Sequence, residues 1–483
     1  MEAMKVCSAR SIREAEQNLF ASGQVSSLEL MNTVVERLWQ ACRKLPLMQA
    51  YAPARVIVYA GTGNNAGDAI GLAARWGCPV TLRCAGELSP DSQAQLSGRE
   101  EAGVPVPQEN ILIIDGLLGS GAVGALRPTY VALVRELNEL RAASPRSLTL
   151  AIDIPTGLDA QTGTHGADVV LADATAAIGC VKPGMLADGA EDAVGRLICI
   201  PLPEVGDLPV ADEARVADES ELLPLLPRRA YSCFKNRAGR VAIVAGSVGL
   251  AGAAQMCAEA ALAAGAGLVV LYCLPPVYPV LAARVAPEIM VRPVGSYADI
   301  HEPGAQALVI GPGLGEIQPV AAESLRRLAM EFAGTVVLDA DGLNTAAANG
   351  WKPLQNWVLT PHPGEMRRLC PESVGKIRRD AVSCYLGGND CTLLLKGART
   401  LVAGPELCFY NATGGPYMAN GGQGDVLAGV IGALAAQGLA PERAAVAGAY
   451  VCGLAAERAW AEGGYPRAIK ATQVIRHLPY YLA

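Results

Sequence analysis

The chain has 483 residues, 51% of them apolar and 18% charged, long enough for two or three domains and too apolar to stay disordered. Lys plus Arg number 39 against 46 Asp plus Glu, a net charge of −7, which excludes wrapping of an open polyanion such as nucleic acid but not a local phosphate site made of backbone amides. Fourteen cysteines lie scattered, with no C-x-x-C spacing and no Cys/His cluster, so they read as reduced, mostly buried thiols.

The four His leave little material for a zinc centre. The N-terminal run MEAMKVCSARSIREAEQ is charged and lacks an apolar core segment, so no secretory signal is expected and the location is expected to be cytoplasmic. In chain order, the first 50 residues read as mainly helical. Short Val/Ile/Leu-rich runs then alternate with helical spacing, the pattern of parallel strands buried on both faces. Strands are expected at Arg55–Ala60, Pro79–Cys84, Ile111–Asp115, Leu148–Ile152 and Leu197–Ile200, with helices at Asp68–Trp76 and Pro128–Arg141.

The acidic, Pro-rich run PLPEVGDLPVADEARVADESELLPLLP shows no convincing strand. It reads as a linker over 206–226 between domains 1–205 and 227–483. Beyond it, strands are expected at Arg240–Ala245, Leu268–Cys273, Ala307–Ile310, Thr335–Leu338, Trp357–Leu359 and Cys391–Leu395, then helices alone from Gly424 onward with small Ala and Gly faces. The uncharged stretch 260–283 is interrupted by Gly265, Gly267, Pro275 and Pro276, so it reads as a buried helix and strand and not a membrane span. Both halves are α/β.

Three consecutive strand ends of the first half carry glycines and a carboxylate. GTGNNAGD supplies Gly61, Gly63 and Gly67 with Asn64, Asn65 and Asp68; IDGLLGSG supplies Asp115 before Gly119 and Gly121; IDIPTGLD supplies Asp153, Thr156 and Asp159. Each alone is ordinary turn chemistry, but a glycine corner entering a helix also exposes N–H groups to an anion.

In the second half, Gly421, Gly422 and Gly424 precede a helix that begins near Asp425. That carboxylate either complements the helix dipole or takes a proton from a hydroxyl attacking bound phosphate. Lys396 ends an apolar strand before Gly397 and reads as a surface lysine or a phosphate contact. His362, between Pro361 and Pro363, reads as part of a rigid polar loop or as a contact to a ring or ribose.

Taken together, GTGNNAGD, AIDIPTGLDAQTG, GPGLG, LDADGLN, LTPHPGE, LKGART and GGQGDVLAG, in that order, resemble the bifunctional NAD(P)H-hydrate repair enzymes over nearly the whole chain. The resemblance implies an N-terminal NAD(P)HX epimerase of Rossmann-like fold, a three-layer sandwich, and a C-terminal ADP-dependent NAD(P)HX dehydratase of ribokinase-like α/β fold. It implies the hydrates of NADH and NADPH as substrates, ADP or ATP as co-substrate with Mg2+, and a homo-oligomer. It places Asn64, Asn65, Ala66, Gly67 and Asp68 around the hydrated nucleotide, with Gly119, Ser120, Gly121, Ala122, Val123, Gly124 and Ala125 on its phosphate side.

By the same resemblance Asp153 is the substrate-facing carboxylate and the choice for acid/base work. Asn65, Asp115 and Thr156 are potassium ligands, an all-oxygen set of single charge that suits a large monovalent ion. On the dehydratase side Ala253, Gly313, His362 and Asp425 line the hydrate site, with Asp425 as base. Lys396, Gly397, Ala398, Arg399, Thr400 and Gly424 hold the adenine nucleotide.

The chain departs from the family pattern at Asn32, Ala66, Ala69, Phe234–Lys235–Asn236, Gly415, Tyr417, Asn420 and Gln423. The competing reading is a ribokinase-like small-molecule kinase fused to a non-catalytic Rossmann-like binding domain.

Overall fold

The computed structural model describes residues 4–49, 51–96, 109–226, 228–464 and 467–482. The chain divides into two compact units, 3–216 and 217–483, the second taking in the first two residues.

In the first unit six parallel strands lie in the order Val80–Cys84, Arg55–Ala60, Ile111–Gly116, Ser147–Ile152, Ala174–Gly179, Arg196–Pro201. The central runs RVIVYA, ILIIDG and SLTLAI are buried along nearly their whole length, because helices cover both faces and leave no side for water. From Arg55–Ala60 the chain adds Val80–Cys84 on one side, then crosses back to Ile111–Gly116 on the other. The order reverses between Arg55–Ala60 and Ile111–Gly116, and crevices of this kind open at the carboxyl ends of strands flanking such a reversal.

Three differences from the sequence reading have physical reasons. Helix Asn64–Ala74 starts four residues before the expected Asp68, because Gly63 takes the cap position in extended backbone and Asn64 and Asn65 then form the first turn. The strand Ala174–Gly179 was not expected: its ATAAIG is buried but almost free of the large β-branched residues that mark a strand. The run read as a strandless linker contains the strand Asp212–Val216, which pairs antiparallel with Met4–Val6. A short pairing partner more than 200 positions away leaves no local periodicity to read.

In the second unit the order is Cys408–Tyr410, Leu401–Ala403, Thr392–Leu395, Trp357–Leu359, Thr335–Leu338, Ala307–Ile310, Arg240–Val244, Leu268–Cys273, Met290–Pro293. The seven strands from Thr392–Leu395 to Met290–Pro293 are parallel, and the two beyond form an antiparallel edge. The three-residue edge strands and Met290–Pro293 were not expected. The helices Gln423–Ala436 and Pro441–Glu462 are the expected Ala/Gly-rich ones. Their small faces are required: a Cβ on Gly429 would stand 2.1 Å from the Cys257 carbonyl oxygen of helix Ala251–Ala263, and one on Gly432 would stand 2.6 Å from Val309.

All fourteen cysteines are free and eight are buried. Among the described residues no helix is long and apolar enough to cross a membrane.

Gly61 shows how tightly the first strand end is built, because a Cβ there would lie 1.8 Å from the Leu117 carbonyl oxygen, whereas one on Gly63 meets nothing within 4 Å. Gly61→Ala should therefore cost about 3 kcal/mol and Gly63→Ala less than about 1 kcal/mol, read as the urea midpoint of the first unit's unfolding transition.

Candidate functional site

The first candidate site sits at the reversal point of the six-stranded sheet. A cavity of about 430 Å³ is lined by Glu16 and Arg13 of helix Ala9–Ala21, Asn64, Asn65 and Asp68 of helix Asn64–Ala74, the loop Leu117–Ala122, and Asp153. Asp153 follows strand Ser147–Ile152 in left-handed backbone, φ 67°, a conformation that costs a non-glycine residue energy and turns its side chain into the cavity. One of its oxygens accepts from the Ser120 N–H at 2.7 Å, and the other accepts from the ammonium of Lys182.

Lys182 is fully buried and also donates to the Ile178 carbonyl at 2.9 Å. Burial acts to raise the Asp153 carboxyl, but the Lys182 charge and the bonds from Lys182 and Ser120 outweigh it and hold the group below the ordinary Asp range. Bonded through both oxygens in this way, Asp153 is held in its charged form in the cavity wall.

Other carboxyls around the cavity behave oppositely. Asp68 is 9% exposed and its Oδ1 has no hydrogen-bond partner; burial, then the charges of Asp153 and Glu16, push it well above the ordinary Asp value. Glu16 is pushed up to about 7 by burial and by Asp153, against the opposing charges of Lys182 and Arg13.

Asp115 is fully buried. It accepts from the Leu117 N–H at 3.1 Å and from the Thr156 N–H and hydroxyl at 2.8 and 2.9 Å. It has no basic side chain beside it, and burial raises it to about 6 despite those bonds. The Asn65 amide donates to the Ile152 carbonyl at 3.2 Å, and the bonds to Asp115 come from neutral groups, so its buried charge is left without a balancing cation among these hydrogen-bond partners. Among the described residues no cluster of three or more His, Cys, Asp or Glu could hold a metal.

The other expected residues of the first unit divide between the cavity wall, the helix interior and the surface. Gly119 approaches closely, since a Cβ there would stand 3.1 Å from Asp153 Oδ2. Gly121 accepts from Arg13 at 2.9 Å through its carbonyl. Val123, Gly124 and Ala125 are exposed and do not line the cavity. Ala66, Gly67 and Ala69 are buried in the helix. Ala69 fills the space that Gly116 leaves: a Cβ on Gly116 would stand 2.4 Å from that of Ala69. Asn32 is exposed and accepts from Gln95 at 2.9 Å.

The second candidate site lies at the carboxyl ends of Thr335–Leu338, Trp357–Leu359 and Thr392–Leu395. Asp339, buried, accepts from Thr360 at 2.8 Å and from Lys396 at 2.7 Å. Lys396 also stands 3.7 Å from Glu365; burial works against its charge, but Asp339 and Glu365 more than compensate and raise it. His362 caps helix Pro363–Leu369: its Nδ1 accepts from the Gly364 N–H at 2.9 Å, while its own N–H donates to Glu365 at 2.8 Å.

Gly424 is required here, because a Cβ would lie 3.3 Å from Lys396 Nζ. Asp425, in the first turn of the same helix, is raised to about 7 by burial and then by Asp339, with Lys396 opposing. Gly397 and Thr400 close a turn, the hydroxyl donating to the Gly397 carbonyl at 3.0 Å; Ala398 is exposed and Arg399 is buried. Gly313, φ 62°, presses on Ala253, and Asp341 ties that loop in by accepting from the Gly315 N–H at 2.8 Å.

The sequence reading did not single out Lys182, Glu16, Arg13, Asp339 or Glu365. Lys182 stands alone in the uncharged run AAIGCVKPGM, a signal for a buried lysine. Glu16 falls four residues after Ile12 and three before Leu19, the two buried residues of its helix, so it occupies the inward face.

The departures near Asp425 form a consistent set. Tyr417 stacks on Trp460 with ring centroids 4.5 Å apart. Gly415 must lack a side chain, since a Cβ there would lie 2.6 Å from the Tyr417 ring. Gln423 donates to Asn420 at 3.2 Å, and Asn420 donates to the Ile469 carbonyl.

Removing one partner of a buried pair leaves a bare charge, so Lys182→Met should destabilise the first unit by about 3–5 kcal/mol. Lys182→Met with Asp153→Asn should recover much of that loss, as measured by urea unfolding of the full chain.

Comparison with known proteins gives these two sites a family. Residues 27–184 match the family model described as YjeF-related protein N-terminus, and residues 241–480 match that described as NAD(P)H-hydrate dehydratase. The bifunctional NAD(P)H-hydrate repair enzyme Nnr of Coxiella burnetii is 35% identical, covering 97% of each chain. That of Escherichia coli is 37% identical, covering 93% of this chain and 88% of its own. Among solved structures, an ADP/ATP-dependent NAD(P)H-hydrate dehydratase from Bacillus subtilis, co-crystallized with ATP/Mg2+, is 27% identical over 56% of this chain and 98% of its own, with a TM-score of 0.50. A ribokinase-like superfamily protein from Enterococcus faecalis is 25% identical, covering 57% of this chain and 98% of its own, also with a TM-score of 0.50. This chain belongs to the family of bifunctional NAD(P)H-hydrate repair enzymes.

Proposed function

We propose that the first unit interconverts the R and S hydrates of NADH and NADPH, and that the second returns the S hydrate to NAD(P)H using ADP or ATP. The observation that carries the reading is the second site: Lys396, the glycine corner Gly421–Gly424 and Asp425 converge at a helix start, the arrangement a phosphoryl group and an attacking hydroxyl need. Hydroxide is a poor leaving group. Lys396 would meet the phosphate oxygens, and Asp425 would take the proton from the substrate hydroxyl as the terminal phosphoryl is transferred to its oxygen; the phosphate then leaves and the neighbouring ring carbon gives up a proton to solvent as the double bond re-forms. Magnesium would enter with the nucleotide and neutralise its phosphates.

In the first unit Asp153 faces the hydrated ring as a permanent anion. Asn64, Asn65, Asp68 and the Gly119–Ala122 part of the loop hold the nucleotide around it, while Val123, Gly124 and Ala125 lie outside the cavity. Asn65, Asp115 and Thr156 would hold potassium, which when bound supplies positive charge beside the loop that receives the substrate phosphates.

The deciding experiment supplies a mixed R and S hydrate pool and follows absorbance at the reduced-nicotinamide band. With ADP or ATP the whole pool should return to NAD(P)H, and without nucleotide none should. A stable phosphoester with no recovered absorbance would mark a kinase instead. Asp425→Asn should fold normally and lose at least about a hundredfold in dehydration. With Asp425 as a base near 7, wild-type kcat/KM for dehydration should rise with pH to a plateau above about 7, and the variant should lack that limb. Asp115→Ala should slow epimerisation in potassium while leaving dehydration of pure S hydrate intact, and wild-type epimerisation should fall when a bulky organic cation replaces potassium.

A further inference from the structure

Inverting the hydroxyl-bearing carbon needs a group that can both give and accept a proton. Hydration of an enamine puts the hydroxyl on the carbon next to nitrogen, so the shortest route is reversible loss of water: the hydroxyl is protonated, the C–O bond breaks, and the nitrogen lone pair holds the resulting cation until water adds to the opposite face. The proton given at the first step is returned at the second. A fixed anion beside the ring steadies the cation but cannot supply that proton.

The cavity of the first unit divides these two tasks between different carboxyls. Both oxygens of Asp153 are engaged, one by the Ser120 N–H and one by Lys182, and the Lys182 charge favours its ionised form. Glu16 lines the same cavity and makes no hydrogen bond or ion pair with any described residue. It is half-buried on the inward face of helix Ala9–Ala21, between the turns of Ile12 and Leu19. Asp68, nine-tenths buried with one oxygen lacking any partner, lines the cavity as well. An unpartnered carboxyl and an unpartnered carboxyl oxygen facing one cavity leave polar capacity free to meet a ligand.

We infer that Glu16 is the proton carrier of the epimerase, giving a proton to the departing hydroxyl and regaining one through solvent after the water that adds to the opposite face releases its own, while Asp153 is the fixed anion that steadies the ring cation. The inference rests on the epimerase reading of the first unit. The charged groups facing Glu16 or lining its cavity are Asp153 and Lys182 from the sheet, Asp68 from helix Asn64–Ala74, Arg13 from its own helix and Arg127 from the loop before helix Pro128–Ala143. Two of these are carboxyls, and burial with the Asp153 charge holds Glu16 near 7, where one group can serve as acid and then base at neutral pH.

The test measures epimerisation of R hydrate in the full-length protein, coupled to its own dehydration and corrected for the uncatalysed rate. Wild-type kcat/KM should fall above about pH 7 as Glu16 loses its proton. Glu16→Gln should lower kcat by about a hundredfold or more with little change in KM and abolish that fall. Glu16→Asp should keep part of the rate with a displaced pH limb. Dehydration of pure S hydrate should be unchanged in both, and an unchanged urea midpoint for the first unit's unfolding transition separates the effect from misfolding. A wild-type rate and pH profile in Glu16→Gln would overturn the inference and leave the epimerase reading standing, as would loss of the limb in Asp68→Asn but not in Glu16→Gln. A wild-type protein with no epimerase activity would overturn both.

Discussion

Each unit balances charge at the carboxyl end of a parallel sheet with one lysine, fully buried in the first and partly buried in the second. Lys182 grips Asp153 in the first unit and Lys396 grips Asp339 in the second. Strand ends of this kind gather backbone N–H groups and carboxylates into a crevice with little water, where a single cation decides which acids stay ionised. In both units the residue left outside the grip, Glu16 or Asp425, is raised towards neutrality by burial and by a neighbouring carboxylate. The same arrangement serves two chemistries because the two sites differ in what stands opposite the lysine: a cavity walled by Glu16 and Asp68 in one, and a glycine-lined helix start in the other.

Close backbone approach is the second constraint, and it fixes where glycine can stand. Gly61 and Gly119 let the strand ends of the first site converge, and Gly424 lets Lys396 reach the helix start of the second. The departures from the family pattern leave these positions intact. Gly415 and Tyr417 exchange side-chain bulk between neighbours, the ring covering the bare glycine and stacking on Trp460. Ala69 uses the space opposite Gly116. Asn32 forms a surface bond with Gln95. Such exchanges alter the shell around each site more than its acids and bases.

The alternation of apolar strands and helices was legible because parallel strands buried on both faces leave continuous Val/Ile/Leu runs, as in Arg55–Ala60 and Ile111–Gly116. Ala174–Gly179 was not, since small residues pack there without that signature, and Asp212–Val216 was not, since its pairing with Met4–Val6 is set by distant chain. Glycine corners and their acids stood out in the sequence because they cluster within a few positions. Lys182, Glu16, Asp339 and Glu365 reach the sites from separate elements, and their importance rests on spatial pairing that spacing along one segment does not encode. The part played by Asp153 depended on the same thing, because only its partners reveal that it holds charge.

The central claim is this division of carboxyls into fixed anions and proton carriers, and a carbon-13 NMR titration of Asp and Glu side-chain carboxyls tests it most directly, with signals assigned through Asp153→Asn, Glu16→Gln and Asp425→Asn. The account predicts that Glu16 and Asp425 titrate near 7 while Asp153 stays ionised to below the ordinary Asp range. Titration of Asp153 near neutrality, with Glu16 and Asp425 at ordinary carboxyl values, would contradict it.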